Sequence, residues 1–330
     1  MTAIRCALLL IGSVFWVSVV TSAPLPAEID ESSGLTRSLH DSAHFWTHND
    51  THPIAAGDED ADAALFRIDR TGTLVSTIRL PNIQQRDFES IDSFVHHNQP
   101  MLLIADSGDN LLIWEDYRLL LIPEPEQLDA KQTAAPTHVL RYRFSDRQSR
   151  DVEAVAVDTT DEQIWLISKR PKPAELFTLN LNQLQPLDSA DDTDQALTGA
   201  NVQEAQRIGE LGPLTPANAF RWLLDPLIGD EVNVVTGMDI HPDGAIMAVL
   251  TYAAVYFFQR NPDQSWADVL QRAPQANVPL PGIRQWEGIS FAHNGSKVFV
   301  SREGSGPSGL ITLDVPESLN PQPTQGAHRQ

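Results

Sequence analysis

Three short apolar runs follow one another between residues 153 and 180: Glu153-Ala-Val-Ala-Val-Asp158, Gln163-Ile-Trp-Leu-Ile-Ser-Lys-Arg170 and Glu175-Leu-Phe-Thr-Leu-Asn180. Their length and their β-branched and aromatic residues are typical of strands separated by turns. The first run recurs as a polar or acidic residue followed by small and alternating apolar residues: Glu31-Ser-Ser-Gly-Leu35, Glu89-Ser-Ile-Asp-Ser-Phe94, Thr236-Gly-Met-Asp-Ile-His241 and Glu287-Gly-Ile-Ser-Phe-Ala292. A short strand unit that repeats along the chain predicts a β-propeller.

Units of this kind begin at residues 31, 89, 153, 236 and 287. Fourth strands are predicted at Leu74–Leu80, His138–Phe144 and Gln206–Leu211, so the expected fold is an all-β, single β-propeller with five detectable four-stranded blades. The last unit has three strands, and we expect the segment before Glu31 to supply its fourth. A sixth, degenerate blade is the alternative in the long unit after residue 153, where a short helix is predicted from Thr215. A two-sheet β-sandwich is the competing architecture, and the in-phase repeats argue against it.

The N-terminal residues have the pattern of a secretory signal. Arg5 precedes an apolar run from Ala7 to Val20, and the small residues Thr21-Ser22-Ala23 follow. We therefore predict a signal peptide at 1–22, a propeller domain at 23–315 and a disordered tail at 316–330. The mature chain is expected to begin between Ala23 and Glu28, to be secreted or periplasmic, and to lack a membrane span. An uncleaved anchor is the alternative.

Composition excludes several classes of site. Cys6, the only cysteine, lies in the predicted signal, so the mature chain has no disulfide, thiolate nucleophile or Cys-ligated metal. The chain has 44 acidic and 23 Lys or Arg residues, a net charge of −21, which repels nucleic acid. The sequence also lacks a nucleophile elbow, a P-loop and a dinucleotide fingerprint. Divalent cations, small molecules or extracytoplasmic proteins are the expected partners.

Chemistry is expected at one rim of the propeller. In an antiparallel blade, the start of the first strand and the end of the second lie on the same side. This places Glu31, Glu89, Glu153 and Glu287 at one axial mouth as candidate metal ligands. Polar residues at the neighbouring strand ends are candidate ligand-binding residues: Asn49, Asp50, Asp106, Asp109, Asn110, Lys169, Arg170 and Glu303.

Carboxylates that converge on a narrow opening repel one another unless a cation is present. Oxygen donors without thiolates suit a hard divalent ion, and calcium is the expected cofactor. Two alternatives stay open. The glutamates would be architectural if they accept backbone N–H bonds or pair with Lys169, Arg170 and Arg302. They would be catalytic if they act directly as acids or bases.

Several motifs along the chain occur together in one known family: Glu31-x-Ser-Gly-Leu35, Phe45-Trp-Thr-His-Asn-Asp50, Leu65-x-Arg-Ile-Asp69-x-x-Gly72, Asp87-Phe-Glu-Ser-Ile91, Ala105-Asp-Ser-Gly-Asp-Asn110, Pro123-Glu-Pro125, Asp151-Val-Glu-Ala154, Ile167-Ser-Lys-Arg170 and Trp286-Glu-Gly-Ile289. With this set, the chain resembles a family of secreted, mostly uncharacterised bacterial β-propellers. That family is distantly similar to phytase-like esterase, gluconolactonase and paraoxonase-type propellers.

This resemblance implies a divalent metal near the axis, held by carboxylates and Asn, and hydrolysis of an ester or lactone in some relatives. Glu31, Glu89, Glu153 and Glu287 take the axial acidic positions of the motif. Thr236 departs from the motif, which removes one carboxylate. The sequence thus leaves two candidate functions: a metal-dependent esterase, lactonase or phosphoesterase, and a noncatalytic extracytoplasmic binding or scaffold propeller.

Overall fold

Antiparallel strands joined by turns form most of the chain, in a computed structural model that describes residues 21–50, 63–126, 131–187, 197, 199–215, 233–282, 285–304 and 306–319. The predicted all-β class is confirmed. Helical structure is short where it is described, as in α1 (Trp266–Leu270). Within these ranges, no helix combines the length and the apolar character that crossing a bilayer requires.

The strands fall into two runs along the chain. Up to residue 144 they are β1 (Thr21–Leu25), β2 (Ser32–Arg37), β3 (His44–Asn49), β4 (Ala63–Asp69), β5 (Leu74–Leu80), β6 (Phe88–His96), β7 (Gln99–Asp106), β8 (Tyr117–Pro123), β9 (Lys131–Thr133) and β10 (His138–Phe144). After it they are β11 (Val152–Asp158), β12 (Gln163–Ser168), β13 (Glu175–Asn180), β14 (Gln185–Pro186), β15 (Val202–Glu210), β16 (Val235–Ile240), β17 (Ile246–Thr251), β18 (Ala254–Gln259), β19 (Ala276–Pro279), β20 (Trp286–Phe291), β21 (Lys297–Arg302) and β22 (Gly306–Asp314).

The described strands group into five four-stranded antiparallel units. Unit 1 is β2-β3-β4-β5, unit 2 is β6-β7-β8-β10, unit 3 is β11-β12-β13-β15, unit 4 is β16-β17-β18-β19 and unit 5 is β20-β21-β22-β1. Two parallel pairings extend this plan. Strand β9 adds to the outer edge of unit 1, and β10 pairs with β15, which joins units 2 and 3 into one large, strongly curved sheet.

Unit 5 takes its outermost strand from the start of the described chain. Strand β1 pairs with β22 through Thr21, Ser22, Ala23 and Leu25, and Leu25 is buried. The expectation that the segment before Glu31 supplies this fourth strand is confirmed. Because the first and last strands share a sheet, the two ends of the repeat region are joined by backbone hydrogen bonds.

The first strands of the units form a closed circuit. β2 contacts β6, β6 contacts β11, β11 contacts β16, β16 contacts β20, and β20 contacts β2. Strands β11, β16 and β20 are buried on both faces, whereas the outer strand β5 alternates buried and more exposed residues. Apart from the buried carboxylates Glu153, Asp158, Asp239 and Glu287, these inner strands consist of apolar and small residues, as expected for strands covered on both sides.

The apolar core lies between neighbouring units. In the described residues, five buried clusters occupy the spaces between successive sheets. Phe144 of unit 2 packs on Phe177 of unit 3 with ring centroids 4.6 Å apart. Phe45 of unit 1 packs on Phe299 of unit 5 at 4.4 Å, which closes the circuit. The strands predicted from alternation thus pack face to face around a common centre.

Several sequence predictions lie outside the described residues. They are residues 1–20 of the predicted signal, most of the predicted helix after Thr215, and residues 320–330 of the predicted tail. The insertion in which a sixth blade was the alternative is also largely outside them, at 188–196 and 216–232.

Candidate metal centre

The pairing of the first two strands is interrupted at the same point in every unit. One extra residue, a β-bulge, separates the first two paired positions, and these residues are Ser33, Glu89, Glu153, Thr236 and Glu287. A bulge re-aims the side chain of the extra residue away from the regular pleat. Five bulged residues at the same end of a closed circuit bring three glutamates together.

Hydrogen bonds join these side chains across units. The Ser33 hydroxyl donates to Glu89 Oε2 at 2.8 Å and lies 3.4 Å from Glu287 Oε2. The Tyr252 hydroxyl donates to Glu287 Oε1 at 3.1 Å. The Lys169 ammonium forms a buried ion pair with Glu153 Oε1. Within the described part of the chain, these bonds of the three glutamates go to side chains, and the Lys169–Glu153 ion pair agrees with the architectural alternative in which the glutamates pair with basic residues.

A carboxylate triad lies within this group. One carboxylate oxygen from each of Glu89, Asp151 and Glu153 lies within 4.8 Å of the other two, and the three residues are buried. Gly108 makes room for it, because a Cβ atom there would lie 2.4 Å from Asp87 Oδ2 and 2.6 Å from Glu89 Oε1. Glycine at this position therefore allows the loop after β7 to pass directly beside the carboxylates.

Burial and mutual repulsion strongly perturb these acids. Burial raises the pKa of Glu153 to about 8, although the Lys169 ammonium opposes the shift. Burial, followed by repulsion from Glu153, raises the pKa of both Glu89 and Glu287 well above the ordinary value. Burial acts to lower the pKa of Lys169, but the charge and hydrogen bond of Glu153, together with Tyr252 and Glu89, outweigh it and the pKa is raised. The site therefore carries more buried carboxylates than its lysine neutralises.

Two oxygens of the triad have no hydrogen-bond partner among the residues that the structure describes. They are Asp151 Oδ2 and Glu153 Oε2, on side chains that are 2 % exposed. A buried carboxylate oxygen without a partner costs free energy, which a cation would recover. Carboxylate oxygens are the donors that hard divalent ions prefer. The residues present therefore fit a hard cation such as calcium, and ion identity is a matter for experiment.

The bulges correct the register on which the sequence alignment of the repeats depended. Ser33, two residues after Glu31, occupies the position of Glu89, Glu153 and Glu287, so unit 1 contributes a hydroxyl there. Thr236 occupies this position in unit 4, and its hydroxyl donates to the backbone oxygen of Trp286 at 2.6 Å. In the sequence, Glu31 was assigned to this position because short polar residues lie on both sides of it. The extra residue of the bulge does not show in the sequence pattern.

Glu31 lies in a neighbouring acidic group at the same mouth. It forms an isolated bridge with Glu303, and burial together with a side-chain hydrogen bond to Asp50 raises its pKa to about 7. Glu303 links the two groups, because it also forms a side-chain hydrogen bond with Glu287. Asn49 holds the preceding segment in place, since its amide donates to the backbone oxygen of Glu28 at 3.0 Å.

The remaining predicted ligand-binding residues differ in their surroundings: some are bonded to neighbouring loops, some are exposed, and some contact the glutamates. Asp106 is engaged by a buried ion pair with Arg118 and by the backbone N–H of Asp87 at 2.8 Å. Asp109 accepts from the backbone of the following loop, while its own N–H donates to Asp151 Oδ1 at 3.0 Å. Asn110 and Arg170 are exposed at the surface. Lys169 contacts Glu153, and Glu303 contacts Glu287.

Sequence reasoning missed Asp151 as a candidate ligand. The signal was present twice, as Asp87-Phe-Glu89 and Asp151-Val-Glu153, each with an acid two residues before the bulge. Glu31 precedes Ser33 by the same spacing, so it matches Asp87 and Asp151 in position. Recognising the acid-x-acid pair, instead of the single glutamate, would have identified the triad.

The opposite end of the inner strands uses carboxylates differently. Asp92 Oδ2 accepts from the backbone N–H of Val157 at 2.7 Å, and Asp239 Oδ2 accepts from that of Phe291 at 2.7 Å. These bonds connect unit 2 to unit 3 and unit 4 to unit 5. In the architectural alternative, the glutamates were expected to accept backbone hydrogen bonds from the neighbouring unit. These aspartates, three residues after the bulged positions, accept such bonds instead.

Comparison with known proteins gives a general likeness of fold. No family model and no curated protein matches the sequence. Similar solved structures include a hydrazine synthase from Kuenenia stuttgartiensis (11 % identity, TM-score 0.42, covering 86 % of this chain and 83 % of that one). A putative 6-phosphogluconolactonase from Bacteroides uniformis has 12 % identity and a TM-score of 0.38, covering 90 % and 70 %. A nidogen/laminin complex has 9 % identity and a TM-score of 0.39, covering 82 % and 72 %.

Proposed function

We propose that the chain is a five-bladed β-propeller, exported from the cytoplasm, that binds a divalent cation and hydrolyses an ester, lactone or phosphoester. The five units and the closed circuit of inner strands support the blade count. The observation that carries the function is the buried triad Glu89, Asp151 and Glu153 with its two unpartnered oxygens.

The triad would hold the cation, with calcium as the expected ion. Bound there, the ion would polarise a carbonyl or phosphoryl oxygen and lower the pKa of a water molecule. Glu287 is the candidate acid-base group. It lies outside the triad, Tyr252 donates to it, and burial raises its pKa well above the ordinary value, which suits a carboxyl group that exchanges a proton with substrate. Lys169 would supply positive charge beside the reacting oxygen.

Calcium binding is tested by thermal melts with calcium and with chelator. A ligand at about 100 times its Kd stabilises the folded state by about 2.7 kcal/mol, which raises the Tm by several degrees. We expect this increment in the parent and its loss in the double variant Glu89→Gln, Glu153→Gln. Magnesium should give a smaller increment, because it prefers strict octahedral geometry.

Two single variants provide matched controls. Glu31→Gln removes a carboxylate from the same mouth, and Asp92→Asn removes a buried one from the opposite end. Both should keep the calcium increment if the triad is the site. No increment in the parent, together with lower stability of the double variant, would support the architectural role of the glutamates.

Activity is tested by a screen of lactones, aryl esters and phosphoesters with calcium and with chelator. We expect chelator-sensitive hydrolysis, and Glu287→Gln should lower kcat by about a hundredfold or more while the calcium increment remains. The alternative is a noncatalytic binding or scaffold propeller. The Lys169–Glu153 ion pair favours it, because the lysine already neutralises one member of the triad. Calcium binding without hydrolysis of any substrate class would support this alternative.

A further inference from the structure

One loop leaves three consecutive aliphatic side chains in solvent. Leu111, Leu112 and Ile113 are 78, 56 and 62 % exposed in the loop between β7 and β8. Large exposed apolar residues elsewhere in the described chain are single, at Val75 and Val95. Isolated exposed apolar residues are common on protein surfaces, but a contiguous patch usually marks an interaction site. We call residues 111–113 the apolar tip.

The fold holds the apolar tip in place. Asp109 Oδ1 accepts from the backbone N–H of Ile113 at 2.7 Å, and its Oδ2 accepts from that of Trp114 at 2.9 Å and from the Tyr117 hydroxyl at 3.0 Å. Leu112 has a φ of 55°, a backbone conformation that is unfavourable for a bulky residue. The three side chains therefore project from an anchored loop.

A second anchor fixes the far side of the loop. The Arg86 guanidinium lies 4.6 Å from the centroid of the Trp114 ring, and its Nη1 donates to the backbone oxygen of Asp116 at 3.0 Å. The Ser149 hydroxyl donates to the backbone oxygen of Trp114 at 2.7 Å. Trp114 is thus held against the body of the protein, and the large apolar side chains that the loop exposes are aliphatic.

We infer that the apolar tip inserts into a zwitterionic lipid surface. Protein interfaces rely mainly on Trp, Tyr and Arg anchors, whereas this loop directs its aromatic residue inward and presents aliphatic chains outward. Such a tip can enter a deformable apolar phase without a matching pocket. The net charge of −21 and the exposed Glu115 beside the tip disfavour anionic headgroups and complement the ammonium ends of zwitterionic ones.

The position of the apolar tip relates this surface to the carboxylate triad. The Asp109 N–H donates to Asp151 Oδ1, so the base of the loop adjoins the candidate metal centre. Insertion would bring the acidic mouth close to the lipid headgroups. The inference does not depend on the cation, because no member of the tip or of its anchors belongs to the triad.

The expected affinity is modest. The tip offers about a dozen side-chain carbons, fewer than one myristoyl chain, whose membrane association constant is on the order of 10⁴ M⁻¹. Binding should therefore be half complete at an accessible lipid concentration of roughly 0.1 mM or above. Co-sedimentation with sucrose-loaded phosphatidylcholine vesicles up to several millimolar lipid covers this range, and chelator keeps calcium out of the measurement.

We expect the parent to sediment with these vesicles and Leu111→Ser, Leu112→Ser, Ile113→Ser to lose at least 80 % of the bound fraction. The matched control Val75→Ser, Val95→Ser removes exposed apolar residues elsewhere and should bind like the parent. Unchanged Tm values verify folding, and Leu111→Ser alone replaces the triple variant if that variant is unstable. Vesicles containing phosphatidylglycerol should bind less.

Three results would overturn the inference. In the first, the parent remains in the supernatant at several millimolar lipid. In the second, the folded tip variant sediments like the parent. In the third, light scattering shows that the parent is a dimer and the tip variant a monomer. The last result would assign the tip to contact between two copies of this chain.

Discussion

Lys169 determines how the carboxylate triad behaves without a cation. Its ammonium is paired with Glu153, and both side chains are largely buried. Replacing it by Met keeps the aliphatic stem but leaves the carboxylate without its partner. Removing one partner of a buried ion pair costs about 3–5 kcal/mol.

We therefore expect Lys169→Met to lower the free energy of unfolding by about 3 kcal/mol at pH 8.5 in chelator. The loss should be smaller at pH 6, because Glu153, with a pKa of about 8, is then mostly protonated. Calcium should restore more stability to this variant than to the parent, since the lysine no longer competes with the ion. Urea unfolding at the two pH values, with calcium and with chelator, measures all three effects. An equal loss of unfolding free energy at pH 6 and pH 8.5 would contradict the proposal that the loss depends on the charge of Glu153.

The same residues show the limit of single-residue prediction. Glu89, Glu153 and Glu287 were predicted correctly to lie together, because their strands repeat in phase. Glu31 was assigned to the position that Ser33 occupies, because a bulge adds one residue and alternation in a strand is blind to such an insertion. Asp151 was missed although its spacing from Glu153 repeats that of Asp87 from Glu89. Bringing a loop close to both acids also required Gly108, whose role depends on three-dimensional contact.

Whole elements were easier to predict than site positions. The fourth strands predicted at Leu74–Leu80 and His138–Phe144 coincide with β5 and β10, and the strand predicted at Gln206–Leu211 overlaps β15. Their alternating patterns reflect burial on one face, which sequence periodicity reports directly. Parallel pairing of β10 with β15 was not predicted, because backbone hydrogen bonds between outer edges leave no periodic signal in side chains.

Strand β1 allows a prediction about the start of the mature chain. Cleavage after Ser22 would keep Ala23 and Leu25 paired with β22, whereas cleavage after Ala27 would remove the strand. Loss of buried Leu25 costs about 1.5–3 kcal/mol, and β22 would become an unprotected edge. We expect a chain that begins at Ala23 to be monomeric and at least 2 kcal/mol more stable than one that begins at Glu28. Urea unfolding and light scattering of the two chains test this, and equal stability would show that unit 5 needs only three strands.

At the scale of the whole molecule, buried acids lie at both ends of the inner strands. Burial raises the pKa of Glu153 to about 8 at one end and that of Asp92 to about 7 at the other. Both carboxyls bind protons more tightly in the folded state than in the unfolded state. Their contribution to stability is therefore complete below pH 4 and is lost as the pH rises through 7 to 8. Acids with lowered pKa values contribute stability that is lost as the pH falls. Asp146 is an example, because its hydrogen bond from Arg150 lowers its pKa to about 2.

We therefore expect the free energy of unfolding in chelator to be greatest near pH 5 and to fall by a few kcal/mol between pH 5.5 and 8.5, since one pKa unit corresponds to about 1.4 kcal/mol. Calcium should cancel the part of this fall that comes from the triad and leave the part that comes from Asp92. Asp92→Asn should show the complementary pattern: a shallower fall in chelator and almost none with calcium. Urea unfolding of both chains at five pH values, with calcium and with chelator, measures these slopes. A parent whose stability rises from pH 5.5 to 8.5 in chelator would contradict the raised pKa values at both ends of the molecule.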